Sequence, residues 1–198
     1  MKRFPLLLIA ALFIAMPLSA SAQTAIWKVD KAHTSVKFEV EHLTVSLVAG
    51  QFLDFDGAMI SDKSDFTDAK IDFTVQTKSV NTNVEKRDQH LRSPDFFDVE
   101  KYPQMSFKNI AFKKDSEGRY VLAGDLTIKD VTKPVVFDVT YWNTVLDPWG
   151  NTRTGFRAKL KINRFDYHIN YRQPFGKNAL DVAPEANIII DTELTKNK

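Results

Sequence analysis

Apolar and polar residues alternate along most of the chain. Segments 36–40 and 71–75 place apolar side chains at every second position, which is the period of a strand with one buried face. The same alternation recurs at 105–107, 110–112, 120–128, 134–141, 155–162 and 186–194, with a change of phase between the first two of these segments. The pattern predicts an all-β protein built from many short strands.

Turn residues separate these predicted strands. Asp115-Ser116-Glu117-Gly118 predicts a hairpin between Phe112 and Tyr120, and residues 147–151, which contain Pro and Gly, predict another turn. Gly124 is a point where its strand can bend. Many short strands with turns between them favour a sandwich or a barrel, and we expect a single domain over residues 23–198.

One short helix is predicted where the alternation stops. Thr82 lies three residues before Glu85, which is the spacing of a capping box. Ser93-Pro94 ends the helix, because a residue before proline avoids the helical conformation. We expect a helical lid across one end of a barrel, with Phe96 and Phe97 pointing inward.

The N-terminus predicts export. A basic start, Met1-Lys2-Arg3, is followed by an apolar stretch over 4–18 and by Ala20-Ser21-Ala22, so residues 1–22 are predicted to be a cleaved signal peptide. The apolar stretch is shorter than the roughly 20 residues of a membrane-spanning helix. The expected location is the periplasm of a Gram-negative cell, with secretion as the alternative.

Charge and cysteine content exclude several function classes. Two of the 27 basic residues lie in the predicted signal peptide, so the remaining domain balances its 25 acidic residues. Nothing therefore indicates nucleic acid as a partner. The chain has no cysteine, which excludes disulfides and thiolate chemistry.

The candidate catalytic and metal-binding residues make a weak pattern. Asp30, His33 and Ser35 include the residue types of a hydrolytic triad, but the chain has no G-x-S-x-G segment. His33, His42 and His90 are candidate metal ligands without the spacing of a helical or finger-like metal site. We predict no enzymatic activity, no catalytic residue, no metal and no cofactor other than a bound lipid.

Apolar residues at alternating positions mark the expected inner face of the domain. Aromatic side chains at strand spacing fill most cores, yet a barrel of about eight strands is also wide enough to enclose one ligand. The pattern leaves a filled and a hollow barrel open. The candidate cavity residues are Phe38, Val40, Phe52, Phe55, Phe73, Phe96, Phe97, Phe107, Phe112, Leu126, Ile128, Phe137, Phe156 and Leu160.

A dense polar patch occupies residues 87–93. One interpretation is a solvated helix face with pairs such as Glu85 with Gln89. The other is a group of polar side chains at the mouth of a cavity that holds a ligand head group. The candidate mouth residues are Arg87, Asp88, His90 and Arg92.

Several ordered motifs resemble those of the YceI-like family, the lipid- or polyisoprenoid-binding domain family. They cover residues 27 to about 190. The matching segments are 27–38 (WKVDKAHTSVKF), 50–57 (GQFLDFDG), 79–82 (SVNT), 87–98 (RDQHLRSPDFFD), Tyr102-Pro103, Phe107, 124–128 (GDLTI), 131–134 (VTKP) and 162–164 (INR). Two positions depart from the family pattern, because Asp130 and His168 stand where glycine is common.

The resemblance implies an antiparallel, eight-stranded, lipocalin-like barrel with a short helical insertion. It further implies an exported protein that holds a long-chain isoprenoid lipid, polyprenyl or quinone-type, for transport, storage or sensing. A homodimer and transient membrane contact are further expectations. The alternatives are a side-chain-filled barrel that acts as a periplasmic stress or interaction protein, and a small enzyme acting on a lipid or quinone.

Overall fold

The computed structural model describes residues 25–117, 119–175 and 179–196, with the side chains of 175 and 179 excepted. The predicted signal peptide and Gly118 of the predicted hairpin turn lie outside these residues. The strands are β1 Ile26–Val29, β2 Ser35–His42, β3 Ser46–Phe52, β4 Phe55–Ile60, β5 Lys70–Gln76, β6 Val80–Asn81, β7 Gln104–Lys114, β8 Tyr120–Ile128, β9 Val131–Leu146, β10 Thr152–Asn163, β11 Pro174–Phe175, β12 Ala179–Leu180 and β13 Val182–Lys196. The helices are α1 Glu85–Arg92 and two 3-10 helices, Thr77–Ser79 and Arg164–Tyr167. Within the described ranges, no helix has the length and apolarity needed to cross a membrane.

Eight antiparallel strands close into a barrel. Their order is β1, β4, β5, β7, β8, β9, β10 and β13, and β13 returns to β1, where Lys28 lies opposite Thr195. Closure pairs the strand edges that would otherwise stay free. The prediction of an all-β, eight-stranded antiparallel barrel with one short helix is confirmed.

Strand β13 changes its neighbour along its length. Its first part pairs with β2, from Val182 opposite His42 to Asp191 opposite Ser35, and its last residues pair with β1. Strand β2 continues the sheet into β3 and β6, and α1 follows β6. We call the end that contains the β2–β3 turn and the start of β13 the hairpin end. The β7–β8 and β9–β10 turns lie at the opposite end, the floor end.

A β-bulge explains the change of phase in the sequence pattern of β7. The register against β8 shifts between Asn109 and Ala111, and the intervening Ile110 is exposed to solvent. Phe107 and Phe112 therefore both face the core, although they are five positions apart and would lie on opposite faces of a regular strand. The predicted phase shift is confirmed as an extra residue in one strand.

Helix α1 forms where the sequence predicts it and ends before Ser93-Pro94, but its start differs from the prediction. The N-cap residue is Val84, and no side chain caps the helix. Thr82 is not the cap, because Asn83, which follows it, has a φ of 61° and is not helical. The N–H of Thr82 donates to Asp88 Oδ1 at 2.8 Å instead of to Glu85, and its hydroxyl donates to the same oxygen at 2.6 Å. The predicted capping box is therefore wrong.

A group of packed aromatic rings closes the floor end. Phe66, in the loop between β4 and β5, contacts Trp27 and Phe156 edge-on, with ring centroids 5.5 and 5.3 Å apart. The Tyr120 hydroxyl donates to the main-chain oxygen of Asp65 at 3.0 Å, which fixes this loop against β8. Such edge-on pairs are favourable aromatic contacts.

Candidate functional site

The barrel encloses a cavity of about 450 Å³. This volume lies within the range of roughly 300–1,000 Å³ that is typical of small-molecule sites. Inward positions of neighbouring strands supply the wall, and Phe107 of β7, Phe137 of β9 and Ile190 of β13 are examples. The wall is almost entirely apolar, which suits a ligand without polar groups along its length.

Twelve of the fourteen candidate cavity residues line this space. They are Phe38, Val40, Phe52, Phe73, Phe96, Phe97, Phe107, Phe112, Leu126, Ile128, Phe137 and Phe156. Phe55 does not, because it is buried against the ring of Phe73, which stacks on it at 5.9 Å. Leu160 packs against the core of the barrel wall without lining the cavity. That the lining residues bind a ligand stays a prediction.

Sequence reasoning missed many of the smaller wall residues. The sequence pattern indicated mainly aromatic residues, whereas aliphatic side chains and methionine form much of the wall. The missed residues include Met59, Ile71, Met105, Leu122, Val139, Ala158, Ile162, Val182, Ala186, Ile188, Ile190 and Leu194. Alternation along β13 carries the signal for four of these, since every second residue from Ala186 to Leu194 lines the cavity, with Thr192 as the polar member of that series.

Polar residues contact the cavity at the hairpin end. Arg87 and His90 of α1 line it, together with His42, Tyr171 and Asp181. The side chain of His90 is 43% exposed to solvent although it lines the cavity. A side chain that contacts both the cavity and the solvent marks an opening, so the mouth of the cavity lies beside α1.

Asp88 and Arg92, by contrast, do not line the cavity, which corrects their predicted place at the mouth. Asp88 is buried and binds Thr82, as described above. Arg92 Nε donates to the main-chain oxygen of Lys78, and its Nη2 donates to that of Val80, both at 3.0 Å. These two side chains hold α1 against the preceding residues, because they form hydrogen bonds with main-chain groups that are shielded from water.

A second segment, 164–171, forms another part of the rim of the mouth, beside α1. The ring of Tyr171 contacts His90 edge-on at 5.0 Å and stacks on Phe96 at 4.9 Å. Arg164 is buried and donates to the main-chain oxygens of Ile169 and Val182 at 2.8 and 2.9 Å. Burial lowers the pKa of the Arg164 guanidinium from its ordinary value. These bonds hold the rim segment against β13.

Comparison with known proteins identifies the family. The YceI-like domain matches residues 27–194. The chain belongs to the YceI-like family. Protein YceI of Escherichia coli O157:H7 is 38% identical over 197 residues, which cover 96% of this chain and 98% of that protein.

Solved structures of the YceI-like family share the barrel. The YceI protein of Campylobacter jejuni superimposes with a TM-score of 0.66 at 31% identity, over 85% of this chain and 96% of that one. A polyisoprenoid binding domain from Saccharophagus degradans gives a TM-score of 0.63 at 14% identity, over 88% of this chain and all of that one. The second likeness shows the fold.

The two departures from the YceI-like sequence pattern contact each other. His168 has a φ of 55°, in the left-handed region that glycine adopts most easily. Its Nδ1 lies 3.1 Å from Asp130 Oδ1, and its main-chain oxygen accepts a hydrogen bond from Lys129 Nζ at 3.0 Å. This pair joins the β8–β9 turn to the rim segment at the hairpin end.

The candidate triad is not assembled in this YceI-like barrel. His33 Nδ1 lies 3.0 Å from Asp30 Oδ2, but among the described residues Ser35 makes no hydrogen bond to His33. Asp30, His33 and Glu193 hold ligand-type atoms within 4.8 Å of one another, yet Arg153 binds both Asp30 and Glu193. The guanidinium of Arg153 already occupies the carboxylate oxygens of this group, and none of its three members lines the cavity.

Proposed function

We propose that this protein holds a long-chain isoprenoid lipid, of polyprenyl or quinone type, inside its barrel and catalyses no reaction. The observation that carries the proposal is the apolar cavity of about 450 Å³, closed at the floor end and reached beside α1. Burial of an apolar chain contributes about 0.8 kcal/mol per methylene. The Saccharophagus relative, a polyisoprenoid binding domain, adds support through its shared fold.

The polar groups at the mouth fit a ligand head group. Arg87 and His90 face the cavity at its open end, where an isoprenoid chain would place its polar terminus. Arg87 is held by its donations to Thr82, from Nε to Oγ1 at 2.7 Å and from Nη2 to the main-chain oxygen at 3.0 Å. A preorganised side chain loses less freedom when a ligand binds.

The hollow interior argues against the alternative of a side-chain-filled barrel that acts through its surface. The separation of Asp30, His33 and Ser35 from the cavity argues against hydrolysis of a bound lipid. We propose that the protein works in the periplasm, on the basis of the sequence of residues 1–22. Fractionation of the native cells and N-terminal sequencing of the isolated protein test both the location and the start at Gln23.

Native mass spectrometry of the protein, isolated from its own cells without detergent, tests the binding proposal. Any added mass is extracted into organic solvent and identified. We expect a prenyl lipid or quinone. A protein that carries no added mass and that stays unloaded after incubation with solanesol, a long-chain prenyl alcohol, would refute the proposal.

A further inference from the structure

The turn between β2 and β3 carries exposed apolar side chains. Val45 is 80% exposed and Leu47 is 60% exposed. The run from Leu43 to Leu53 contains no charged residue. The tight β7–β8, β8–β9 and β9–β10 turns differ, because they carry Asp115, Asp130 and Asp147 respectively.

This turn also has an unusual backbone. Leu43 and Thr44 both have positive φ, 52° and 60°. Hairpin turns with this conformation normally use Asn and Gly, since a side chain with a Cβ costs roughly 1–2 kcal/mol there. The chain places bulky residues in a strained conformation and exposes apolar neighbours to water. Strain of this kind is typical of functional segments.

The exposed turn is continuous with the cavity mouth. Val40 and Val48, which lie opposite each other in β2 and β3, line the cavity, as does His42 at the end of β2. Leu43 N–H donates to the main-chain oxygen of Asp181 at 2.8 Å, and Asp181 also lines the mouth. The turn therefore stands directly beside the opening.

We propose that the β2–β3 turn inserts into the surface of a lipid bilayer and so sets the cavity mouth against the membrane for lipid exchange. This inference rests on the proposed function. An isoprenoid chain that crosses water loses about 0.8 kcal/mol of stabilisation per exposed methylene, so a route that avoids water is much faster. Exposed apolar side chains without charges can enter the interface, whereas charged ones resist it.

The floor end provides a matched control. Leu146 is 70% exposed and Trp149 is 79% exposed, around the β9–β10 turn. Packed aromatic rings separate these residues from the solvent-accessible mouth, so contact between this end and a membrane offers the lipid no path. Both ends of the barrel therefore expose apolar side chains to solvent, but the cavity mouth lies at the hairpin end.

The test compares two double variants, Val45→Ser with Leu47→Ser and Leu146→Ser with Trp149→Ser. Each protein is isolated from the native cells and mixed with phosphatidylcholine vesicles that carry radiolabelled solanesol. The rate of label transfer to protein is measured after the vesicles are sedimented. The amount of solanesol bound at equilibrium, after dilution from ethanol without vesicles, is measured in parallel.

We expect the hairpin-end variant to take up solanesol from vesicles about tenfold more slowly, equivalent to roughly 1.4 kcal/mol in the barrier. Its equilibrium binding should not change, because neither substituted residue lines the cavity. The floor-end variant should match the parent protein in both measurements.

Two results would overturn the inference. The first is a hairpin-end variant whose transfer rate is unchanged, or two variants whose transfer rates fall equally, while equilibrium solanesol binding stays normal. The proposed function would then stand without this docking surface. The second is a parent protein that binds no solanesol even from ethanol, which would defeat the proposed function as well.

Discussion

Asp88 lies on helix α1, yet one of its carboxylate oxygens accepts two hydrogen bonds from Thr82, which precedes the helix. The distances are 2.8 Å from the Thr82 main-chain nitrogen and 2.6 Å from its hydroxyl. Both residues are buried. The contact fixes the angle at which α1 leaves β6, and with it the position of Arg87 and His90 at the cavity mouth.

Replacement of Asp88 tests this role. We expect Asp88→Ala to lower the free energy of unfolding by about 1–3 kcal/mol, because two buried donors of Thr82 lose their acceptor. Urea denaturation gives the value. Gln89→Ala is the control on the exposed face of the same helix, where loss of the contact with Glu85 should cost about 0.2–0.5 kcal/mol. Equal effects of the two changes would show that the Thr82 contact adds nothing.

The sequence predicted the strands well because their alternation follows directly from burial of one face. It also showed a change of phase between Phe107 and Phe112, and the structure explains that change by one extra residue, the exposed Ile110 of the bulge. It failed at the start of α1. A Thr three residues before a Glu fits a capping box, but the buried Asp88, one turn later, accepts the Thr82 N–H that the box would give to Glu85.

In the candidate site too, features that follow from the local sequence pattern were predicted, and features that depend on contacts between distant residues were not. Strand parity identified most of the cavity wall, because the interior of a barrel receives every second residue. Parity could not separate Phe55 from Phe73, since both rings point inward and only their stacking decides which one reaches the cavity. Nor could sequence show that Arg92 binds the main chain of Lys78 and Val80, because that contact depends on how α1 folds back.

Filling the cavity should block lipid binding. Ala158 of β10 is buried, lines the cavity and is paired with Ile190 of the neighbouring strand β13. Ala158→Trp therefore places an indole in the cavity. We expect the solanesol bound at equilibrium to fall at least about tenfold, equivalent to 1.4 kcal/mol. Extraction of the loaded protein measures this amount, and circular dichroism shows whether the barrel is intact.

Lys159→Trp is the matched control for that substitution. Lys159 is the next residue of β10 and its side chain is exposed on the outer face. The same indole placed there should leave solanesol binding unchanged. If both variants bind as the parent protein does, the lipid lies elsewhere and the cavity assignment is wrong.

The floor end should make stability depend on acid pH. Burial opposes ionisation of Asp30, but hydrogen bonds from His33 and Arg153 outweigh it and lower its pKa from 3.8 to about 2. Burial also opposes ionisation of Asp147, but hydrogen bonds from Arg153 and Asn151 outweigh it and lower the pKa of Asp147 to about 2. Because both folded-state values lie below the unfolded ones, these groups stabilise the fold above about pH 4, and that stability is lost as pH falls toward 2.

Arg153→Met tests the assignment of this acid sensitivity. We expect a less stable protein at neutral pH and a smaller further loss between about pH 4 and 2, measured by urea denaturation across that range. Lys161→Met, which removes an exposed pair with Glu185, is the control and should change stability by less than about 1 kcal/mol. A variant whose acid profile has the parent's slope would show that other carboxyl groups govern the transition.

Two glycines in the barrel should respond differently to the addition of a single methyl group. A Cβ at Gly124 would overlap the main-chain oxygen of Lys108 and would lie 2.8 Å from Asn109 Cα, beside the β7 bulge. Main-chain atoms in a paired strand cannot move aside cheaply. We expect Gly124→Ala to lower the free energy of unfolding by about 1–3 kcal/mol.

Gly155 of β10 makes the comparison decisive. A Cβ there meets first the ring of Trp142, at 3.2 Å, and that side chain is more than half exposed and free to shift. Alanine also restricts the unfolded chain, which favours the folded state by about 0.4–1 kcal/mol. Gly155→Ala should therefore be close to neutral in the same denaturation experiment. Similar losses at the two positions would mean that the lack of space beside Lys108 is not what requires glycine at position 124.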